Sequence, residues 1–199
     1  QGLSLLKNRA ESMQSAVPLG VGGMLAVLGV ETNEIIKIIN DNSKNIKCFL
    51  ANDNSNGQLI ISGRNIELEK FSKVLKDKKI KNIRLPVSGP FHSELMREAT
   101  IKMNNIIDNQ IFKLPEVKVV SNVTAEEYKN VEEVKMLLIK QIESPVRWRE
   151  SVQYMISKGT KTIVEIGPGK VLSGLIKRIN KDVKVLNIES FEDIQDMQV

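Results

Sequence analysis

One histidine occurs in 199 residues, within Pro86-Val-Ser-Gly-Pro-Phe-His-Ser-Glu-Leu-Met96. An imidazole suits proton transfer near neutral pH, because its ordinary pKa of about 6.5 lets it both take and give a proton. His92 follows a Gly-Pro turn and precedes Ser93, a good helix N-cap, ahead of an apolar-periodic run from Leu95 to Ile107. A helix starting there would set the positive end of its dipole near the ring and keep it neutral, as a general base for a hydroxyl nucleophile must be. The plainer alternative is a histidine that caps that helix.

Other patterns exclude chemistries. Gly167-Pro-Gly-Lys-Val-Leu-Ser-Gly174 lacks the glycine a Walker loop needs at Val164 and the one a dinucleotide fingerprint needs at Leu172. It reads as a tight strand-to-helix turn, with Lys170 able to meet an anion at the helix start. No Gly-x-Ser-x-Gly elbow occurs; Gly2-Leu-Ser-Leu-Leu6 ends on leucine, so Ser4 reads as an ordinary helix residue. One histidine and one cysteine do not make a zinc site, so no metal is expected.

The composition bounds the rest. With 41% hydrophobic and 27% charged residues the chain reads as globular, and with 4% aromatics its core must be built from Ile, Val, Leu and Met. The longest apolar run, Met24 to Val30, is too short to cross a bilayer, and no secretory signal pattern opens the chain. Cys48 has no partner for an internal disulfide, which points to a reducing, cytoplasmic setting. The net charge of +5 is concentrated between Lys70 and Arg84, a run without aromatic residues for base stacking. It reads as a solvated lysine-rich helix end, with attraction of an acidic protein or a phosphate-bearing cofactor as the alternative. Nucleic acid and membrane are not expected as partners. Because Gln1 opens directly onto a helical pattern, an upstream segment is expected to be missing from these residues.

Apolar spacing at Leu3, Leu6, Ala10 and Met13 predicts a first helix, ended by Pro18 and Gly20. Residues 24 to 87 read strand, helix, strand, strand, helix, strand, the β-α-β-β-α-β order of ferredoxin-like folds. Its strands are Met24 to Leu28, Ile46 to Leu50, Leu59 to Ile61 and Ile80 to Val87. Thr32 or Asn33 would cap the first of its helices, and Asn52-Asp-Asn-Ser-Asn-Gly57 would form the turn between the middle strands. Beyond Leu95 come a long helix, a strand at Val117 to Val123, a helix from Val131 to Ile142, and another through Trp148 and Met155. A buried strand at Thr162 to Ile166, a helix from Lys170 to Ile179 and a strand from Val183 to Ile188 complete a parallel α/β sheet.

Several segments together resemble malonyl-CoA:acyl-carrier-protein transacylases. They are Asn8-Arg-Ala-Glu-Ser-Met-Gln-Ser-Ala-Val-Pro18, Ala51-Asn-Asp-Asn-Ser-Asn-Gly-Gln-Leu-Ile-Ile-Ser-Gly63, Pro86 to Met96, Gln141-Ile-Glu-Ser-Pro-Val-Arg-Trp148, and Glu165-Ile-Gly-Pro-Gly-Lys-Val-Leu-Ser-Gly174. The resemblance runs from about Arg9 to Ile188. It implies an α/β fold: part of an α/β-hydrolase-like large subdomain, at residues 1–19 and 88–199, with a ferredoxin-like small subdomain at 20–87 inserted in it. It also implies ping-pong transfer of a malonyl group from malonyl-CoA to the phosphopantetheine thiol of acyl carrier protein, in cytoplasmic fatty-acid biosynthesis, with no further cofactor.

Carried over by residue, the resemblance makes His92 the general base and the Gln141 backbone carbonyl its orienting partner. Arg9 would grip the malonyl carboxylate, and Phe91 would leave little room for an α-methyl branch. Asn52 and Asn54 would orient the CoA chain; the alternatives are an Arg9–Glu11 surface pair and an Asn-stabilised turn. Asp53 and Asn56 depart from the family pattern, which has an aromatic and a proline there. The family's Gly-His-Ser-x-Gly elbow lies before the arginine helix and is not in this chain, so the chain alone is expected to be inactive and aggregation-prone. Two other readings stand beside this one: an inactive remnant of the family, and a ferredoxin-like binding module for an acidic partner.

Overall fold

The computed structural model describes residues 2–196; Gln1 and residues 197–199, which belong to the predicted segments 1–19 and 88–199, lie outside it. Helix α1 (Gly2–Ser15) is followed by β1 (Gly22–Leu28), α2 (Thr32–Asn42), β2 (Cys48–Ser55), β3 (Gln58–Arg64), α3 (Asn65–Asp77) and β4 (Lys81–Arg84). These four strands make one antiparallel sheet in the order β2-β3-β1-β4.

The continuous apolar run of β1 follows from burial of both its faces. Successive side chains alternate sides. Leu25 and Val27, with Leu59 and Ile61 of β3, meet Ile35, Ile38, Leu68, Phe71 and Leu75 from α2 and α3. Met24, Ala26 and Ile60 turn the other way, onto Ala51, Leu85 and Phe91. Phe71 is fully buried at the centre of the first layer. Phe71→Ala is expected to cost about 3–5 kcal/mol, read as a lower urea midpoint at unchanged slope; an unmoved midpoint would place α3 outside the cooperative core. Cys48 belongs to the same layer, where burial, with the Glu67 charge adding, pushes its thiol up to about 12.

Three expectations here need correction. Neither Thr32 nor Asn33 caps α2: its N-cap is Glu31, without a side-chain bond, and the Thr32 hydroxyl donates to Asp53 at 2.9 Å. Residues 51–55 continue β2 instead of turning, and the turn shrinks to Asn56 and Gly57, whose φ is +69°. The cause is a second partner on the outer edge of β2. Val146 N–H donates to the Ala51 carbonyl at 2.8 Å, and Asp53 N–H to the Val146 carbonyl at 2.9 Å. Those ladder bonds outweigh the turn preference of Asn and Asp, and the strand takes up two irregularities, at 50/52 and 53/55. Finally, β4 stops at Arg84, because Pro86 has no N–H to continue the ladder.

Beyond the sheet, a 3-10 turn (Glu94–Met96) leads into α4 (Arg97–Asp108), α5 (Val131–Lys140), α6 (Trp148–Ser157), β5 (Thr162–Ile166), α7 (Val171–Ile179), β6 (Lys184–Ile188) and α8 (Phe191–Asp196). Met13 of α1 packs with Met96, Ala99 and Met103 of the α4 region and with Ile142. Phe91 touches both this cluster and the second face of the sheet, joining the two. Strands β5 and β6 are parallel neighbours. β5 is not buried as expected, since Ile166 is 77% exposed; α6 and α7 cover only the side carrying Ile163. Val117 to Val123 forms no strand, only a single bridge from Val120 to Glu127. Trp148, at the start of α6, packs on Val152, Ile176 and Val183. No helix among the described residues is long and apolar enough to cross a membrane.

Candidate active site

His92 adopts a left-handed backbone, φ +56°. For a residue with a Cβ that conformation costs about 1–3 kcal/mol and persists only where the surroundings enforce it. The enforcement is visible. Ser93 Oγ donates to the Pro90 carbonyl at 2.6 Å, and Met96 N–H to the Ser93 carbonyl at 2.9 Å. Pro90 lies so close on β1 that a Cβ at Gly22 would fall 2.5 Å from its ring. Ser88 Oγ donates to Gln14 Oε1 at 2.7 Å, tying the loop to α1.

This geometry corrects the expectation that Ser93 caps the helix after His92. Helix α4 begins only at Arg97, after a 3-10 turn that starts at Glu94, and Ser93 has turned its hydroxyl back to Pro90 instead of capping. What keeps the imidazole neutral is burial, which lowers its pKa; the Arg9 charge adds to this, while the Gln141 and Ser144 backbone groups oppose it.

His92 Nδ1 lies 3.1 Å from the Gln141 carbonyl oxygen. A carbonyl only accepts, so this contact assigns the proton to Nδ1 and leaves Nε2 with a free lone pair. The single histidine makes the state of this ring directly measurable. Its NMR titration is expected below the ordinary value of about 6.5. The sign for stability follows. A folded state that resists protonation is at full stability above the unfolded value and loses stability as pH falls toward the folded value. Urea midpoints at stepped pH should show that loss in the wild type and less of it in His92→Gln; equal profiles would refute a depressed folded-state pKa.

The ring borders a cavity of about 420 Å³ lined also by Arg9, Gln14, Met24, Asn52 and Phe91. Arg9 comes from α1, and burial alone lowers its pKa. The alternative Arg9–Glu11 pair does not form, since Glu11 meets Lys7 at 3.8 Å, and no described residue engages the Arg9 guanidinium. A half-buried, unpaired guanidinium beside a neutral imidazole is a ready site for a carboxylate. Asn52 reaches the cavity from the irregular stretch of β2, whereas Asn54 is half-buried further along and does not line it. On its other side His92 borders a more apolar cavity of about 660 Å³, with Ile36, Ile39, Cys48, Phe49 and Pro145.

Met24 and Gln14 enter the site without a sequence signal of their own; they arrive because β1 and α1 do. In the Gly167–Gly174 turn a carboxylate of the chain itself meets the start of the helix. Glu165 accepts from the Leu172 and Ser173 amides at 3.0 and 2.8 Å, filling the α7 N-terminus, and the nearest acid to Lys170 is Glu189 at 3.9 Å. The lysines between 70 and 81 all stand exposed. Among the described residues no group of three or more His, Cys, Asp or Glu could hold a metal ion.

The α/β fold is that of solved acyltransferases. A malonyl CoA-acyl carrier protein transacylase from Clostridium perfringens superposes with TM-score 0.94 at 38% identity, over 98% of this chain and 62% of that one. A malonyl-transacylase solved in complex with a type II PKS acyl-carrier protein gives 0.91 at 30% identity, over 96% and 62%. In sequence, the malonyl CoA-acyl carrier protein transacylase of Bacillus subtilis is 41% identical over 193 residues, 96% of this chain and 61% of the relative. No protein-family model matches the chain. By sequence and by fold the chain is similar to the malonyl CoA-acyl carrier protein transacylases, and it spans about three fifths of their length.

Proposed function

We propose that this chain is the histidine- and arginine-bearing part of an enzyme that moves malonyl groups from malonyl-CoA to the phosphopantetheine thiol of acyl carrier protein, in fatty-acid biosynthesis in the cytoplasm. The observation that carries the reading is His92, held at Nδ1 by the Gln141 carbonyl, in one cavity with Arg9. The acyl-carrier-protein complex of one structural relative supports the partner. The strand order β2-β3-β1-β4 supports a ferredoxin-like small subdomain at 20–87, set into an α/β-hydrolase-like remainder.

In this reading a serine hydroxyl from outside these 199 residues gives its proton to His92 Nε2 as its oxygen attacks the malonyl thioester carbonyl. The imidazolium so formed keeps its Nδ1–H on the Gln141 carbonyl and returns a proton to the departing CoA thiolate. The carrier-protein thiol then repeats the sequence in reverse, losing its proton to the same nitrogen. Arg9 holds the malonyl carboxylate in a two-pronged ion pair throughout, Phe91 narrows the space beside the α-carbon, and Asn52 orients the thioester arm.

The test is transfer of labelled malonyl from malonyl-CoA to acyl carrier protein by the complete polypeptide in which these residues are made. Label on the carrier protein, with a malonyl-enzyme intermediate trapped before the carrier is added, is the expected result. No transfer, or transfer without an intermediate, would sink the reading.

A further inference from the structure

Asp53 is 3% exposed, yet it is a carboxylate. It accepts from Arg149 Nε at 3.0 and 3.1 Å, from Arg149 Nη2 at 2.7 Å and from the Thr32 hydroxyl at 2.9 Å. Arg149 Nη2 is also 3.1 Å from Thr32 Oγ1, and its Nη1 donates to Asn56 Oδ1 at 3.5 Å. Glu31 lies 3.9 Å from the same guanidinium. Three elements that are distant in sequence, α2, β2 and α6, meet at this one arginine. Beside it run the two main-chain bonds between Val146 and the edge of β2, and Arg178 of α7 bonds Gln58 of β3 across the same junction. Asp53 and Asn56, the two departures of the Asn-rich segment from the resembling pattern, both bond Arg149.

Asp53 directly follows Asn52, the one residue of β2 that lines the cavity of His92 and Arg9. We infer that Asp53 is a positioning residue: gripped by Arg149 and Thr32, it clamps the irregular edge of β2 to residues 146–149 and thereby sets Asn52 in that cavity. The inference rests on the reading of the cavity as the malonyl-CoA site. A clamp is needed because a bulged edge strand is weakly fixed by its own sheet. A buried carboxylate held by an arginine fork and a hydroxyl supplies direction as well as attraction.

Two measurements on the complete polypeptide decide it. In hydrogen exchange, Asp53→Asn is expected to speed exchange at the Asp53 and Val146 amides about tenfold or more, leaving Leu59 and Ile61 in the β1–β3 ladder unchanged. In calorimetric titration with malonyl-CoA, Asp53→Asn and Asn52→Ala are each expected to weaken binding about tenfold, and the double variant no more than either alone. Arg149→Lys, which keeps the charge and loses the fork, should give a smaller change of the same kind. Wild-type exchange at Asp53 and Val146 in both Asp53→Asn and Arg149→Lys would overturn the clamp. Fully additive losses in the double variant would overturn the positioning role. If the wild type itself binds no malonyl-CoA, the functional reading falls, and the exchange data alone decide the clamp.

Discussion

In the complete polypeptide, replacing His92 with asparagine is expected to lower malonyl transfer by about 10⁴–10⁶-fold, the size of loss seen when a triad member is removed. Asparagine is the informative substitute because it tolerates the left-handed backbone that His92 adopts. A fold defect is thereby separated from a chemical one. If the imidazole acts on the reacting hydroxyl as proposed, the loss falls on kcat, and affinity for malonyl-CoA stays within about threefold because the proposed contacts of Arg9 and Asn52 remain. No other histidine exists in these residues to substitute for the ring. Activity within tenfold of wild type in a labelled-malonyl assay would remove His92 from the role of base.

Arg9→Ala is expected to act on substrate choice. Truncating one partner of a buried, hydrogen-bonded charge pair costs about 3–4 kcal/mol, or roughly 10²–10³-fold in kcat/KM for malonyl-CoA. Acetyl-CoA has no carboxylate, so its much slower transfer should be little changed, and the ratio of the two rates should collapse. Arg9→Lys should fall between, because an ammonium keeps the charge without the planar fork. The structural basis is that no described residue competes for the guanidinium, Glu11 being turned to Lys7. Equal loss with both thioesters would mean that Arg9 supports the fold of α1 and does not read the carboxylate.

Much of the element order was legible because its signals are local. The helical spacing of Leu68, Phe71 and Leu75 and the apolar run of β1 report burial directly. The misreadings came where a distant partner overrode a local preference. Nothing near Asn52 announces that Val146 pairs with the edge of β2, so a segment of Asn, Asp and Ser looked like a turn. Likewise Ser93 looked like a helix cap, but its hydroxyl is used three residues back, at Pro90. Helix α8 did carry a usable sign, Ser190 with Asp193 three residues on, a reciprocal cap that the structure displays. In the site, His92 stood out by type alone. The Gln141 carbonyl could be reached only through resemblance, because a main-chain acceptor leaves no trace in residue identity.

Trp148 is the one tryptophan of the chain, and it stands between Val146, which pairs with β2, and Arg149, which grips Asp53. Its indole nitrogen is buried without a hydrogen-bond partner among the described residues. Indole emission is blue in a dry setting and moves red when water reaches the ring. The molecule therefore carries an optical gauge beside the contact between β2 and residues 146–149, and a ligand that lets water into that contact is expected to shift its emission without a label.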